Sequence, residues 1–521
     1  MDKKVRVRFA PSPTGGLHLG GVRTVLYNYL FAKRHNGDFI LRIEDTDQNR
    51  FVNGAEKYIA DCLSWCGLEP DESPAAGGPY APYRQSERKK IYKQYAERLM
   101  EEGRAYMAFD TPEELDQMRI QYKTPENPSP QYNYALRKKM RNSESLGMEE
   151  IVKLLEEETP YVVRIKIPEN EEVSFTDMIR GKVSFNTSQV DDKVLLKADG
   201  MPTYHLAVVV DDYLMRITHA FRGEEWLPSS PVHILLWKYF GWEADMPEWA
   251  HLPLILKPDG KGKLSKRDGD RLGFPVFAMD WKDPLTGEIT SGFKELGFLP
   301  EAFINMLALM GWNDGSEQEI FTKEELSQKF SMDRVHKAGA KFNFEKAKWF
   351  NHEWIKRSDD EWLAKELIRT LQEKKISFTL PNTIKVAGLV KERCTLLNDL
   401  WPNSSFFFET PVEHDLGAVK PKWNSQKYQF FTELTVKYRE TEEWNAPALE
   451  MIFKDLSAAK EIKAGEVLMP FRIMLVGAKV GPGVFDIAEL IGKQETIKRI
   501  NMILDQLGAG EEKEEQGNVT A

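Results

Sequence analysis

Apolar residues recur along this chain in two rhythms, period two and period 3.6, and the places where the rhythm changes mark its elements. In residues 5–21, VRVRFAPSPTGGLHLGG, Val5, Val7 and Phe9 alternate with Arg6 and Arg8 as in a strand. Pro11, Pro13, Gly15 and Gly16 then break the pattern. Val22, Val25, Leu26, Tyr29 and Leu30 follow at i, i+3, i+4, i+7 and i+8, one apolar face of a helix that starts just after Gly20 and Gly21. A second strand, 39–43, runs into Glu44-Asp45-Thr46-Asp47. Ala55, Ile59, Cys62, Leu63 and Cys66 then share a second helical face that Gly67 can end. The order β-α-β-α predicts a parallel sheet with right-handed crossovers.

Residues 73–82 read as a Pro/Gly loop and 87–102 as a polar helix, after which the alternation stops. Residues 104–193 read as an inserted α+β domain, with short helices, a Pro-rich loop at 124–130 and a strand pair at 161–167 and 173–185. The parallel sheet is expected to resume over 194–256, through Val194-Leu195-Leu196, the apolar run Leu206 to Val210 ending in Asp211-Asp212, then 216–221 and 251–256. Residues 257–271, KPDGKGKLSKRDGDR, read as a loop. Beyond about residue 300 the pattern turns helical: Leu363, Leu367 and Leu371 form one stripe. Val386, Leu389, Val390, Leu396, Leu397 and Leu400 form another, opening at Thr383 as a cap. Trp349, Trp354, Trp401 and Phe406 to Phe408 are expected in the core. The acidic tail, 508–521, is expected to be disordered.

Composition narrows the class without deciding it. With 521 residues, 41% hydrophobic and 29% charged, the chain has room for several domains, and no apolar run is long enough to cross a bilayer. Its start, MDKKVRVRF, lacks the apolar stretch of a secretory signal, so a cytoplasmic setting is expected. The three cysteines are odd in number and lack metal-ligand spacing; Cys62 and Cys66 read as small core residues. A net charge of −10 does not advertise a nucleic-acid binder. The strip 257–271 reverses that locally, with six Lys or Arg in fifteen residues. It reads either as solvated surface or as lysines on glycine hinges that close over a polyphosphate.

Three placements suggest chemistry. His18, Gly20 and Gly21 sit at a predicted helix N-terminus, where free N–H groups and the helix dipole favour an anion and a His can donate to developing negative charge. As a lone His-x-Gly-Gly, the same residues read more often as a cap or surface feature, by about three to one, and position at a strand-to-helix turn is what favours the anion site. Glu44, nearest the strand end of the carboxylate cluster, is placed to grip an ammonium group; the alternative is a solvated acidic turn. Arg8 and Arg222 are expected to reach the crevice at the strand ends, and Arg6 to matter to neither binding nor discrimination.

His18-Leu19-Gly20-Gly21 at a helix start and Lys263-Leu264-Ser265-Lys266-Arg267 in a later loop resemble the two signatures of class I aminoacyl-tRNA synthetases. Four further words, residues 10–15 (APSPTG), 42–47 (RIEDTD), 83–86 (YRQS) and 224–226 (EEW), resemble the bacterial-type glutamyl-tRNA synthetase family, and 482–486 (PGVFD) fits that family's helical anticodon-binding region. The resemblance covers nearly the whole chain. It implies an α/β fold: a Rossmann-like parallel-sheet catalytic domain in two halves, 1–103 and 194–256, with 104–193 an inserted α+β domain binding the tRNA acceptor. The KLSKR loop and a stem-contact region follow at 257–345, then a helical anticodon-binding domain at 346–507.

The resemblance further implies ATP-dependent activation of L-glutamate, with Mg²⁺ accompanying ATP, and transfer to the 3′ end of tRNA(Glu). Activation is expected to wait for tRNA. By carry-over, His18, Lys263 and Lys266 are the catalytic residues. His18, Gly20, Gly21, Glu225, Lys263, Leu264, Ser265, Lys266 and Arg267 hold ATP; Arg8, Ala10, Ser12, Glu44, Tyr204 and Arg222 hold glutamate. Val208 stands where relatives often have Asn. Residues 105–109, AYMAF, lack the Cys/His set that holds zinc in some relatives, so no structural zinc is expected. A monomer without membrane contact is expected. A metabolite adenylyltransferase and an inactive tRNA-binding relative are the competing readings; the long helical half argues against the first and intact His18, Lys263 and Lys266 against the second. Whether tRNA(Gln) is also charged stays open.

Overall fold

In the computed structural model, which describes residues 3–125 and 127–509, the chain divides into two compact units between residues 350 and 351. The first contains strands β1 (Arg6–Phe9), β2 (Asp38–Leu41), β3 (Ala105–Ala108), β4 (Val162–Ile165), β5 (Glu172–Asp177), β6 (Gly181–Asn186), β7 (Val194–Leu196), β8 (His219–Gly223) and β9 (Glu248–Leu252). Six of them form one sheet in the order β2-β1-β8-β9-β5-β6, parallel throughout except for the β5–β6 hairpin. The mixed α/β architecture with a helical second unit is the one the sequence predicts.

β1 shows what a central parallel strand does to a period-two pattern. Both faces are covered, so Arg6 and Arg8 are as buried as Val7 and Phe9. The alternation therefore separates an apolar layer from an ion-paired one. Arg6 donates to Asp38 at 2.8 Å and Glu72 at 2.7 Å, while Arg8 donates to both oxygens of Asp212 at 3.1 and 3.2 Å. The helix after the turn, α1 (Leu19–Arg34), buries Val22, Val25, Leu26 and Leu30 completely.

Three elements differ from the pattern reading. The run Leu206 to Val210 is not a strand but part of a helix, Tyr204–Leu214, with every one of those five residues buried. A short, wholly apolar run fits either element. Asp211 and Asp212 fit the helix: neighbours there diverge by about 100°, and Asp212 accepts from Arg8 and Arg42 while Asp211 accepts from Gln85, Arg88 and Tyr92. Second, β5–β6 does not belong to the insertion's sheet. It extends the main sheet through β9, where Phe175 packs edge-on to Trp249 with ring centroids 5.0 Å apart. In exchange β7 leaves the main sheet and pairs antiparallel with β4, in a small sheet ordered β3-β4-β7. Third, the strip 257–271 is not loop throughout: Lys266–Leu272 is a helix, begun by Ser265, whose N–H and hydroxyl both donate to Asp268.

In the second unit Leu363, Leu367 and Leu371 are buried on the helix Asp360–Glu373, as their spacing predicts. The next helix, Leu380–Val390, is capped at Thr379 rather than Thr383, because Pro381 opens its first turn; the Thr383 hydroxyl donates instead to the Thr379 carbonyl at 2.9 Å. Phe430, Phe431, Leu434, Phe453, Phe471, Ile487 and Ile500 form its core, with Phe406 and Phe407 half-buried at the edge. Trp354 and Trp401 are half-buried as well. Trp349, in the first unit, is exposed rather than core, its ring lying under the Lys346 ammonium at 3.7 Å. All three cysteines are buried and free, and among the described residues no helix is long and apolar enough to cross a membrane. Of the tail expected to be disordered, 510–521 lie outside the described residues.

Arg6 emerges as structural, since its removal strips a buried Glu72 of its counter-charge and leaves, among the described residues, the Tyr83 hydroxyl as the side-chain donor to it. Arg6→Ala is expected to lower unfolding free energy by about 3 kcal/mol, the scale for breaking a buried pair from one side. Urea denaturation measures it.

Candidate active site

Beyond the carboxyl ends of β1, β2 and β8 opens a cavity of about 750 Å³. This is where an open parallel sheet binds its ligands. Ala10, Ser12, His18, Gly20 and Gly21 line it from the first turn and helix. Glu44 lines it from the end of β2, Arg8 from β1, Tyr204 and Val208 from the helix 204–214, and Arg222 and Glu225 from β8 and its exit. Lys263 and Leu264 close the far side.

His18 is the N-cap of α1, and its Nδ1 accepts the Gly20 N–H at 3.2 Å. The ring hydrogen is therefore on Nε2, which is buried and has no hydrogen-bond partner among the described residues. Burial, then the Lys263 ammonium, push the imidazole down to about 4, so at neutral pH it is an uncharged ring with an unused N–H donor. The two glycines after it differ in purpose. A Cβ on Gly21 would run into Leu17 at 2.7 Å, whereas one on Gly20 would meet only the His18 ring at 3.9 Å. A side chain at Gly21 would have to displace the Leu17 methyl, while Gly20 is needed only if something approaches the helix end from the cavity.

The basic signature splits. Lys263 reaches into the main cavity, its ammonium 2.6 Å from Glu225 in an exposed pair. Lys266 does not: it lines an adjoining cavity of about 310 Å³ with Ser12, Thr14, Gly15 and Gly16, its ammonium 3.7 Å from Glu288. Ser265 is spent on capping, and Arg267 is exposed outside both cavities.

Glu44 is buried beside Arg42, which donates to it at 3.2 Å, so the solvated-turn reading fails. Burial outweighs the pull of Arg42 and Arg8 and pushes its carboxyl up to about 7. A carboxylate this short of neutralisation favours a cation. Arg8 is largely committed, with Nε and Nη2 on Asp212 and Nη1 only 3.4 Å from the Phe221 carbonyl. Arg222 is held differently, by His251, Tyr204, His233 and Ser230, at 2.9 to 3.0 Å. None of these carries a negative charge. β2 and β8 flank β1, so Glu44 and Arg222 rise from strands about 10 Å apart, two strand spacings.

Sequence reasoning missed the residues behind this wall: Asp211, Asp212, Asp177, His251, His233 and Ser230. The Asp211-Asp212 pair after an apolar run was visible but read as a strand end. The histidines give no local signal, because their partners lie on other strands and helices. Taken together, the cavity offers a cation receptor, an anion receptor and an N–H-lined helix end, which suits a zwitterionic acid held next to a polyphosphate.

Comparison with known proteins is specific. Residues 4–349 match the family "tRNA synthetases class I (E and Q), catalytic domain" and residues 344–504 the family "Anticodon binding domain". The chain is 53% identical over 508 residues to a protein of Flavobacterium psychrophilum named glutamate–tRNA ligase, covering 97% of this chain and 100% of the other. A protein of the same name from Amoebophilus asiaticus is 50% identical over 97% of this chain and 98% of its own length. Among solved structures, a glutamate tRNA ligase of Elizabethkingia meningosepticum in complex with its amino acid superposes with a TM-score of 0.93 at 51% identity, over 97% of this chain and 100% of that one.

The burial of His18 sets a measurable titration. Its ring protons are expected to shift in NMR near pH 4 rather than near 6.5, and a midpoint above 6 would show that the ring carries charge when the cavity is to bind an anion.

Proposed function

The chain belongs to the glutamate–tRNA ligases of class I, and we propose that the cavity outside β1, β2 and β8 is where it activates L-glutamate with ATP and passes it to tRNA(Glu). What supports this best is one juxtaposition: an uncompensated buried guanidinium, Arg222, and a desolvated carboxylate, Glu44, flank a helix end whose His18 N–H is unused. Glu44 takes the substrate ammonium and Arg222 its side-chain carboxylate, with Tyr204 beside it and Arg8, Ala10 and Ser12 lining the same pocket. The substrate's α-carboxylate is then free to attack the α-phosphorus of ATP. The new carboxylate–phosphorus bond forms as the bond to pyrophosphate breaks.

Negative charge grows on the phosphoryl oxygens and the leaving pyrophosphate. His18 Nε2–H donates to it at the helix end where Gly20 and Gly21 line the cavity, while Lys263 and Lys266 bring ammonium charge. Lys263 can leave Glu225 at little cost, since exposed pairs are worth about 0–1 kcal/mol. Glu225 and Leu264 remain as walls of the ATP site; Ser265 and Arg267 contribute through the start of their helix rather than from the cavity. In the second half-reaction a hydroxyl of the terminal adenosine attacks the activated carbonyl and AMP leaves. Mg²⁺ would enter with ATP and supply charge neutralisation on its phosphates; among the described residues no group of three or more His, Cys, Asp or Glu side chains is placed to hold the ion by itself. No structural zinc, a monomeric state and a cytoplasmic setting complete the reading.

Amino-acid-dependent ATP–pyrophosphate exchange, run with and without tRNA, tests it. Exchange is expected with glutamate alone among the amino acids and only when tRNA is present; exchange with another amino acid would overturn the assignment. Lys266→Ala should lower the activation rate by about 3 kcal/mol, the scale for one preorganised charge, with glutamate affinity unchanged. Arg222→Ala should lose glutamate activation and narrow the glutamate-over-glutamine ratio, since a guanidinium has only donors and an amide offers it two more. An unchanged ratio would move the discrimination to Arg8 or remove it from charge altogether.

A further inference from the structure

The buried arginines around this sheet are held in two ways. Arg6, Arg8, Arg42 and Arg88 each donate to a carboxylate, through Glu72, Asp212 or Asp211. Arg222 is just as buried, yet among the described residues no carboxylate oxygen lies within 4.0 Å of it. Its Nε donates to His251 Nε2 at 2.9 Å, Nη1 to Tyr204 Oη and His233 Nδ1 at 3.0 Å, and Nη2 to Ser230 Oγ at 3.0 Å. Four of its five N–H groups are thus fixed by neutral acceptors.

A guanidinium only donates, so both imidazoles must present a bare nitrogen to it, and each has a partner that enforces this. His251 Nδ1 is 2.6 Å from Asp177 Oδ2 and must carry the hydrogen, which leaves Nε2 free to accept. His233 Nε2 lies 3.2 Å from His205 Nδ1 and can donate there. Asp177 is itself pinned: Oδ1 accepts the N–H groups of Ile179 and Arg180 at 2.9 Å, and Oδ2 the N–H of His251 at 3.0 Å. The chain runs across three neighbouring strands, Asp177 at the end of β5, His251 on β9 and Arg222 opposite it on β8. Burial and Arg222 itself disfavour charge on either imidazole. Burial also works against the Asp177 anion, but its hydrogen bonds from His251 and the backbone outweigh that and hold its carboxyl below the usual range.

We propose that Asp177, His251 and His233 are positioning residues for substrate recognition: they aim Arg222 through imidazole acceptors, so that it is rigid yet keeps its charge for the substrate's side-chain carboxylate. A carboxylate in direct contact would hold Arg222 as firmly but would also neutralise it and compete with the ligand. Setting the anion one imidazole back gives orientation without that competition, as a carboxylate does behind a metal-bound histidine. The proposal rests on Arg222 reading the side-chain carboxylate.

The test is exchange kinetics in the presence of tRNA for Asp177→Asn, His251→Phe, His251→Gln and His233→Phe, with Arg222→Ala alongside. In Asp177→Asn the amide can donate to Nδ1 and drive the hydrogen onto Nε2, facing Arg222 donor to donor. His251→Phe and Asp177→Asn are expected to raise the KM for glutamate by about 10- to 100-fold, the range for losing such support. The KM for ATP should stay in place and the glutamate-over-glutamine ratio should fall; His233→Phe should do the same more weakly. His251→Gln, whose amide oxygen can accept where Nε2 did, should recover most of the loss. Asp177 also holds the β5–β6 turn, so the comparison of His251→Phe with His251→Gln decides whether or not D177N folds. An unchanged KM for glutamate in His251→Phe, or equal loss in both His251 variants, overturns the proposal. If Arg222→Ala also leaves the KM and ratio unchanged, the carboxylate-reading assignment is what has failed.

Discussion

Two adjacent carboxylates at the end of one helix hold the mouth of the sheet together. Asp212 takes Arg8 from β1 and Arg42 from beyond β2; Asp211 takes Arg88, Gln85 and Tyr92 from the segment after the Pro/Gly loop. Each ion has been removed from water at a cost of several kcal/mol, which its partner returns only when the geometry is met. Such a cluster adds little net stability, but it penalises every arrangement that leaves one member unpaired. The turn from β1, the turn from β2 and the helix 204–214 are thereby set in one relation, and these are the elements that line the cavity.

That cluster also divides the arginines by availability. Arg8, expected from the sequence to share in reading a carboxylate, has spent its fork on Asp212, whereas Arg222 has only neutral partners. Glu44 stands in the mirror situation, since Arg42 is shared with Asp212 and cannot fully offset the burial of a second carboxylate. An anion receptor and a cation receptor thus arise from the same cause: in a region where most charges are paired, Arg222 and Glu44 are underpaired and line the cavity, as does Arg23, which donates to the Met310 and Pro253 carbonyls. Arg222 and Glu44 pay for that in stability, and a ligand carrying the opposite charges relieves both.

Much of this was legible along the chain. The first strand, the broken turn and α1 follow from local rules, because alternation, Pro/Gly breaks and a 3.6-residue face involve only near neighbours. So do the buried stripe of the helix 360–373 and the underlying division into an α/β part and a helical part. The candidate site residues meet in one cavity, apart from Lys266 in the adjoining one and Ser265 and Arg267 outside both, whereas the words 83–86 and 482–486 line neither. The mistakes share a cause. Leu206 to Val210 satisfies a strand as well as a helix, and 173–185, read as the partner strand of 161–167, is itself the β5–β6 hairpin, whose place in a sheet is set by β9.

The sequence alone therefore determined the elements with a one-dimensional signature, together with the chemistry their termini carry: a helix N-terminus with His18 and Gly20, a carboxylate at a strand end, lysines among glycines. Tertiary structure decided every assignment that depends on which distant residue arrives alongside. Whether Arg8 is free or Arg222 is depends on Asp212, 204 residues away from Arg8, and on His251, 29 residues away from Arg222. Hydrogen-bond pairing and desolvation are properties of three-dimensional neighbourhoods, and no period in a sequence encodes them.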